Sequence, residues 1–212
     1  MALNLYLLRH GETTFSASGG FCGSLDPELT PEGLEMGREF AVAYAKQPWS
    51  AVYVSPMKRT VATAKPLCDA LEIEMRLRPG LKEIAYGEWE GKTTAYAREH
   101  YPEEYLRWQT EPAWNAPPGG ETSVEIATRS AEVVSEIIAE HLDGNVLIVS
   151  HKATIRILLC GFLGIDLGRY RDRLGVPAAS LSVVHFGEYG PRLDRLGDRS
   201  YMSESLSSRP GT

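Results

Sequence analysis

Short apolar runs alternate with helical stretches along this sequence, and two of those runs end in a histidine. Leu3, Leu5, Leu7 and Leu8 form an almost wholly apolar run that reads as a buried strand and stops at Arg9-His10. Asn145 to Val149, the most strand-like run, stops at Ser150-His151 before a helix from Ala153 to Leu163. Between them, Thr30-Pro31-Glu32 supplies an N-cap, a first-turn proline and an acid for a helix with Leu34, Gly37, Ala41 and Tyr44 on one face. Ala51 to Val54 is a second strand, and Ser55-Pro56 opens a helix burying Val61, Ala64, Leu67 and Leu71. Pro66 lies inside that helix and should kink or interrupt it. Ile73 to Leu77 reads as a third strand, Thr122 opens a helix with Ala127, Ala131, Val134, Ile138 and Leu142 in register, and Ser180 to Phe186 is a final strand.

Such alternation predicts an α/β fold, a three-layer sandwich with a mostly parallel central sheet flanked by helices. Residues 84–121 change character: Tyr86, Trp89, Tyr96, Tyr101, Tyr105, Trp108 and Trp114 stand among charges before Pro117-Pro118-Gly119-Gly120. This segment is expected to be a small helical cap inserted into a single domain over residues 1–202, with 203–212 a flexible tail. Its aromatics either stack on an organic group or form the insert's own core, and their packing value favours the core.

Composition narrows the function. With 22 Lys and Arg against 28 Asp and Glu, the net charge is −6 with neutral histidines. No long basic run is present to displace counterions, so neither nucleic acid nor a membrane is an expected partner. The first apolar run is too short for a signal-peptide core, and a cytoplasmic location is expected. Cys22, Cys68 and Cys160 are odd in number and far apart, as reduced thiols would be. The oligomeric state is open, and a homodimer is compatible with the sequence.

In open sheets of this kind, ligands bind beyond the carboxyl ends of the strands, where the two histidines fall. With them stand Arg9, Arg59 in the first turn of its helix, and Glu83. Cations with a single carboxylate suit an anionic substrate, and phosphoryl transfer has a role for each. A neutral His10 can attack phosphorus; Arg9, Arg59 and a protonated His151 can hold the equatorial oxygens; Glu83 can donate a proton to the departing alkoxide if partial burial keeps it protonated. Gly11 would let the backbone approach the phosphate. His100, His141 and His185 have nothing comparable around them and read as structural or helix-end residues. Ser55-x-x-Lys58 lacks the companion motifs of a serine hydrolase, and Gly91-Lys92-Thr93 lacks the glycine five positions earlier that a phosphate loop needs.

Leu8-Arg9-His10-Gly11-Glu12-Thr13 resembles the signature of the histidine phosphatase superfamily, the phosphoglycerate mutase-like family. Leu29-Thr30-Pro31-Glu32-Gly33, Ser55-Pro56-Met57-Lys58-Arg59-Thr60, Glu83 with Gly87-Glu88-Trp89-Glu90-Gly91, Gly119-Gly120-Glu121 and Val149-Ser150-His151 follow in that family's order. The resemblance spans residues 3 to about 186. It implies a phosphohistidine at His10, a phosphate pocket of Arg9, Arg59 and His151, Glu83 as proton donor, and neither metal nor organic cofactor.

Departures concern the substrate. Phe15-Ser16 stands where many members have Trp-Asn, so a phosphate contact would fall to the Ser16 hydroxyl. Cys22 beside the matching Gly23 replaces a hydroxyl residue of the mutases. Lys152 replaces a glycine, and either adds charge to the pocket or faces solvent. The insert is shorter than in the mutases and offers Arg107-Trp108 instead of an arginine pair, so it resembles the compact phosphatase branch. The reading is therefore a metal-independent phosphatase acting on a small phosphorylated metabolite. Mutase-type phosphoryl transfer and a non-catalytic phospho-ligand binding module are the alternatives.

Overall fold

The computed structural model describes residues 2–210; Met1, Gly211 and Thr212 lie outside the described residues. Six strands form one sheet in the order β3-β2-β4-β1-β5-β6. β1 (Leu3–Arg9), β2 (Trp49–Val54), β3 (Met75–Leu77) and β4 (Gly144–Ser150) run parallel, while β5 (Leu181–Gly187) is antiparallel to β1 and β6 (Gly190–Asp198) antiparallel to β5. The alternation of side chains along each strand sorts the core into two layers. Leu3, Leu5 and Leu7 of β1 with Val146 and Ile148 of β4 pack against α6 (Ser123–Glu140) and α7 (Lys152–Leu163). Leu8, Val52, Leu147 and Val149 face the other way, onto α2 (Pro31–Tyr44) and α3 (Lys58–Leu71). The expected sandwich with a mostly parallel sheet is the fold observed.

Three local outcomes differ from expectation. α3 is not interrupted at Pro66, because its buried side, including Ala64, Leu67 and Cys68, is held against the sheet and outweighs one missing backbone hydrogen bond. β6 extends the sheet beyond the strand expected to be last; its residues are mostly exposed, with Arg192, Asp194 and Arg195 among them, as on an edge strand, so no apolar alternation marks it. The C-terminal stretch is held down where a flexible tail was expected. Ser203 donates from its backbone and hydroxyl to Glu39 (2.7 Å each), α9 (Glu204–Ser207) buries Leu206, and Arg209 pairs with Glu12 at 2.8 Å.

The remaining helices are α1 (Thr14–Ser18) after the first strand, α4 (Thr94–His100) and α5 (Pro102–Thr110) in the insert, and α8 (Tyr170–Arg173) after α7. The insert carries its own core, in which Trp89, Tyr105 and Trp108 are buried around Phe21, whereas Trp114 is exposed. Its two ends are pinned together: Glu121 N donates to Ala85 O and Ala85 N to Glu121 Oε2, both at 2.9 Å.

The signature loop meets the N-terminus of α2 backbone to backbone. A Cβ on Gly11 would lie 2.3 Å from Gly33 O, and one on Gly33 would lie 2.1 Å from Glu12 O. Gly11 is therefore required by α2 rather than by an approaching phosphate, and its N–H is directed to Thr63 Oγ1 at 2.9 Å. Because neither colliding partner is a side chain that can swing away, Gly33→Ala is expected to destabilise the fold by about 3 kcal/mol, the upper range for overpacking. A shift in urea midpoint at unchanged slope measures it, and a loss under about 1 kcal/mol would show that the loop yields instead.

Candidate active site

Register alone brings the two histidines together. β1 and β4 are neighbours with Arg9 opposite Ser150, and His10 N donates to Ser150 O at 3.0 Å, so both chains leave the sheet at one level. The imidazoles of His10 and His151 then lie side by side, with centroids 5.3 Å apart. β2 ends beside them, where Ser55 N donates to Val149 O. The carboxyl edge of the parallel strands thus carries the predicted pair, as strand order requires.

His10 is buried, and its Nδ1 lies 2.7 Å from Gly11 O. A carbonyl can only accept, so Nδ1 carries the proton and Nε2 keeps its lone pair. Burial, reinforced by Arg9 and Arg59, holds the His10 pKa well below the ordinary histidine value of 6.5. This is the neutral, tautomerically fixed imidazole that a nucleophile needs.

His151 is expected to be protonated when it holds phosphoryl oxygens, and without them it rests in another state. Arg59 Nε donates to its Nδ1 at 3.2 Å, leaving Nε2–H to donate to Ser55 Oγ at 2.8 Å. Burial and then the positive charge of Arg59 push its pKa well below 6.5, so the resting ring is neutral rather than protonated.

Arg59 is fully buried and ties the site together. Its Nη1 donates to Leu25 O (2.7 Å) and Asp26 Oδ1 (3.3 Å), and its Nη2 to Gly23 O (3.1 Å). The segment from Gly23 to Asp26 is thereby strapped to α3 and His151. Gly23 has φ +51, and a Cβ there would strike Glu90 Oε1 at 2.3 Å. Glu90 itself accepts from Ser24 N (2.7 Å) and Tyr86 N (3.0 Å), joining this loop to the insert. Arg9 donates to Val176 O at 2.8 Å, and burial lowers its pKa to about 10, which leaves it charged at neutral pH.

Glu83 enters from the turn after β3. Its carboxylate accepts from Ile84 N (3.0 Å), Ala153 N (3.3 Å) and Thr154 N (3.4 Å), at the N-terminal end of α7 where the helix dipole favours an anion. Arg129 clamps the same turn by donating to the carbonyls of Gly80, Lys82 and Glu83 at 2.7, 2.8 and 3.1 Å, while Glu121 anchors Arg129. Sequence reading missed Arg129, as it missed Thr63 and Asp26. On the polar face of a long helix it looks like any solvated charge, and only its pairing with Glu121 of the Gly119-Gly120-Glu121 motif marks it.

These residues border a cleft of about 200 Å³ lined by His10, Arg9, Arg59, Glu83 and Lys152, with Ser16, Cys22, Gly23, Phe21 and Tyr86 also on its wall. The Ser16 hydroxyl serves the local backbone, accepting from Thr13 N at 2.7 Å and closing a capping box on α1. Cys22 Sγ contacts Leu25 O at 3.4 Å, and burial raises its thiol to about 11, so it is no thiolate at neutral pH. Lys152 borders the cleft rather than facing away from it. His100, His141 and His185 lie elsewhere: His100 stacks on Tyr96, His141 ends α6 beside Tyr53, and His185 contacts Asn4 Oδ1. Among the described residues no cluster of three or more His, Cys, Asp or Glu is placed to hold a metal ion, and no helix is long and apolar enough to cross a membrane.

The sequence matches the histidine phosphatase superfamily (branch 1) over residues 5–199. The chain belongs to the histidine phosphatase superfamily. It is 32% identical over 186 residues to phosphoserine phosphatase 1 of Hydrogenobacter thermophilus, covering 88% of each chain. It is 31% identical over 206 residues to the glucosyl-3-phosphoglycerate phosphatase of Mycobacterium tuberculosis, covering 91% of this chain and 89% of that one. The solved native structure of a mycobacterial glucosyl-3-phosphoglycerate phosphatase superposes with a TM-score of 0.85 at 27% identity, covering 93% of this chain and 99% of that one. The two relatives and the solved structure are all named as phosphatases, that is, phosphoric monoester hydrolases.

Proposed function

We propose that this member of the superfamily hydrolyses a small phosphorylated metabolite through a phosphohistidine on His10, with Glu83 as proton donor. The observation that carries the reading is the Nδ1 contact of His10 with Gly11 O, which turns an unprotonated Nε2 toward chemistry inside a cationic cleft. In the first half-reaction Nε2 bonds to phosphorus as the ester P–O bond breaks, and Glu83 gives its proton to the leaving oxygen. In the second, water attacks phosphorus, its proton returns to Glu83, the P–N bond breaks, and inorganic phosphate leaves. Arg9 and Arg59 face the charge on the equatorial oxygens. A phosphoryl dianion arriving between them makes His151 more basic, so protonation of that ring belongs to the loaded site.

Water is the favoured acceptor because the insert spends Trp89, Tyr105 and Trp108 on its own core and supplies no pair of adjacent arginines to retain a phosphorylated acid for return transfer. The activities for which the two relatives are named, on phosphoserine and on glucosyl-3-phosphoglycerate, support a small organic phosphate as substrate.

The test is hydrolysis of an aryl phosphate in excess chelator across pH. Turnover should resist the chelator. Protonation of His10 removes the nucleophile, and its pKa is lowered by burial, Arg9 and Arg59, so kcat/KM should stay level as pH falls through 6.5 and decline only below it. The two rings titrate as a coupled pair, so the acid limb belongs to both. An acid limb centred at or above 6.5 would contradict the buried neutral pair.

A further inference from the structure

The cations at the cleft, Arg9, Arg59 and Lys152 on its lining and Arg156 behind it, fall into two sets. Arg9 and Arg59 are committed to backbone carbonyls and Asp26. Lys152 and Arg156 are not: among the described residues neither side chain has a hydrogen bond or an ion pair, and the Arg156 Nε is buried without a partner. The two stand one turn apart on α7, positions that share a helix face. Both are half-buried; Lys152 senses Arg156, Arg156 senses Arg171, and both sense Glu83 through space. Tyr86, on the cleft wall, and Tyr170, whose buried hydroxyl has no partner, are the neutral polar groups on the same side of Arg156.

A half-buried guanidinium and ammonium with no ion-pair partner, and only the through-space charge of Glu83 against them, are costly unless something brings a further counter-charge. Glu83 is the sole carboxylate among the described residues lining the cleft, and its oxygens are directed to the N-terminal end of α7. A phosphoryl dianion on His10 answers Arg9 and Arg59, which leaves Lys152 and Arg156 over. The leaving group must pass this side of the cleft, since Glu83, its proton donor, lies beside the start of α7. Arg156 suits a planar two-oxygen anion because its fork can pair with both oxygens, while Lys152 adds a point charge.

We infer that Lys152 and Arg156 form a second anion subsite that holds a carboxylate on the leaving group, so that the substrate is the phosphomonoester of a small organic acid. This rests on the phosphatase reading above and narrows it.

Two esters of matched shape test the subsite: para-carboxyphenyl phosphate and its neutral counterpart para-carbamoylphenyl phosphate. The wild type is expected to favour the acid by roughly tenfold or more in kcat/KM, the scale of one charge-assisted hydrogen bond. That preference should fall to within about threefold in Lys152→Met and in Arg156→Met, through KM for the acid, whatever each does to the amide. Arg156→Lys should retain much of it, which separates lost charge from lost folding. A wild type with no preference, or variants that keep it in full, would overturn the subsite and leave the phosphatase reading standing. A wild type that hydrolyses neither ester and takes up no phosphate on His10 would remove both.

Discussion

His10→Ala is expected to lower kcat toward aryl phosphates by roughly 10⁴ to 10⁶, the range seen when a covalent nucleophile is removed. The size follows from the position of the side chain. Its hydrogen bond from Nδ1 to Gly11 O orients the ring without using Nε2, and among the described residues no second histidine or cysteine nucleophile stands ready in the cleft: His151 has both nitrogens engaged and Cys22 holds its proton to about 11. The fold should tolerate the change, because an imidazole buried between Arg9 and Arg59 adds little that alanine removes. During turnover the wild type should carry one phosphoryl group on the peptide containing His10, visible by mass spectrometry after an alkaline quench, since P–N bonds hydrolyse in acid. Residual turnover within about tenfold of wild type, or a wild type that never carries the label, would overturn covalent catalysis at His10.

Much of this site was legible before the structure because strand ends are legible. An apolar run that stops at a polar residue marks where the chain leaves a parallel sheet, and parallel strands deliver those ends to one edge. That logic located Arg9, His10 and His151. It could not find Arg129, Thr63 or Asp26, whose roles come from contacts between distant segments and leave no periodicity behind. Nor does it show the neutral resting state of His151, which depends on Arg59 Nε reaching Nδ1, a contact 92 residues apart in the chain. Gly11 was credited to the ligand when a backbone neighbour, Gly33, requires it. The missed β6 and the ordered C-terminal stretch share one cause: exposed edge strands and short helices held by a single apolar residue such as Leu206 carry too little apolar pattern to be read.

The same geometry sets what Glu83→Gln should do. The amide is nearly isosteric with the carboxyl group; its one oxygen, in the place of Oε1, can still accept from Ile84 N and Thr154 N while the contact of Oε2 with Ala153 N is lost, so the turn clamped by Arg129 should hold its place. What it cannot do is give up a proton. With an alkyl phosphate, whose alkoxide must be protonated to leave, kcat should fall by roughly 10² to 10⁴. With para-nitrophenyl phosphate, whose leaving group departs as a stable anion, the loss should be far smaller, while inhibition by inorganic phosphate should persist within a few-fold. That pattern isolates proton donation from binding. Equal losses on both esters with intact phosphate inhibition would move the donor role to another acid on the cleft wall, of which Lys152, brought down to about 8 by burial and by Arg9, is the nearest in strength. Phosphate inhibition lost together with turnover would instead make Glu83 a support for the pocket. A chain that binds phosphate but turns over no ester, with either residue at position 83, would be the phospho-ligand binding module that the cationic cleft could also serve.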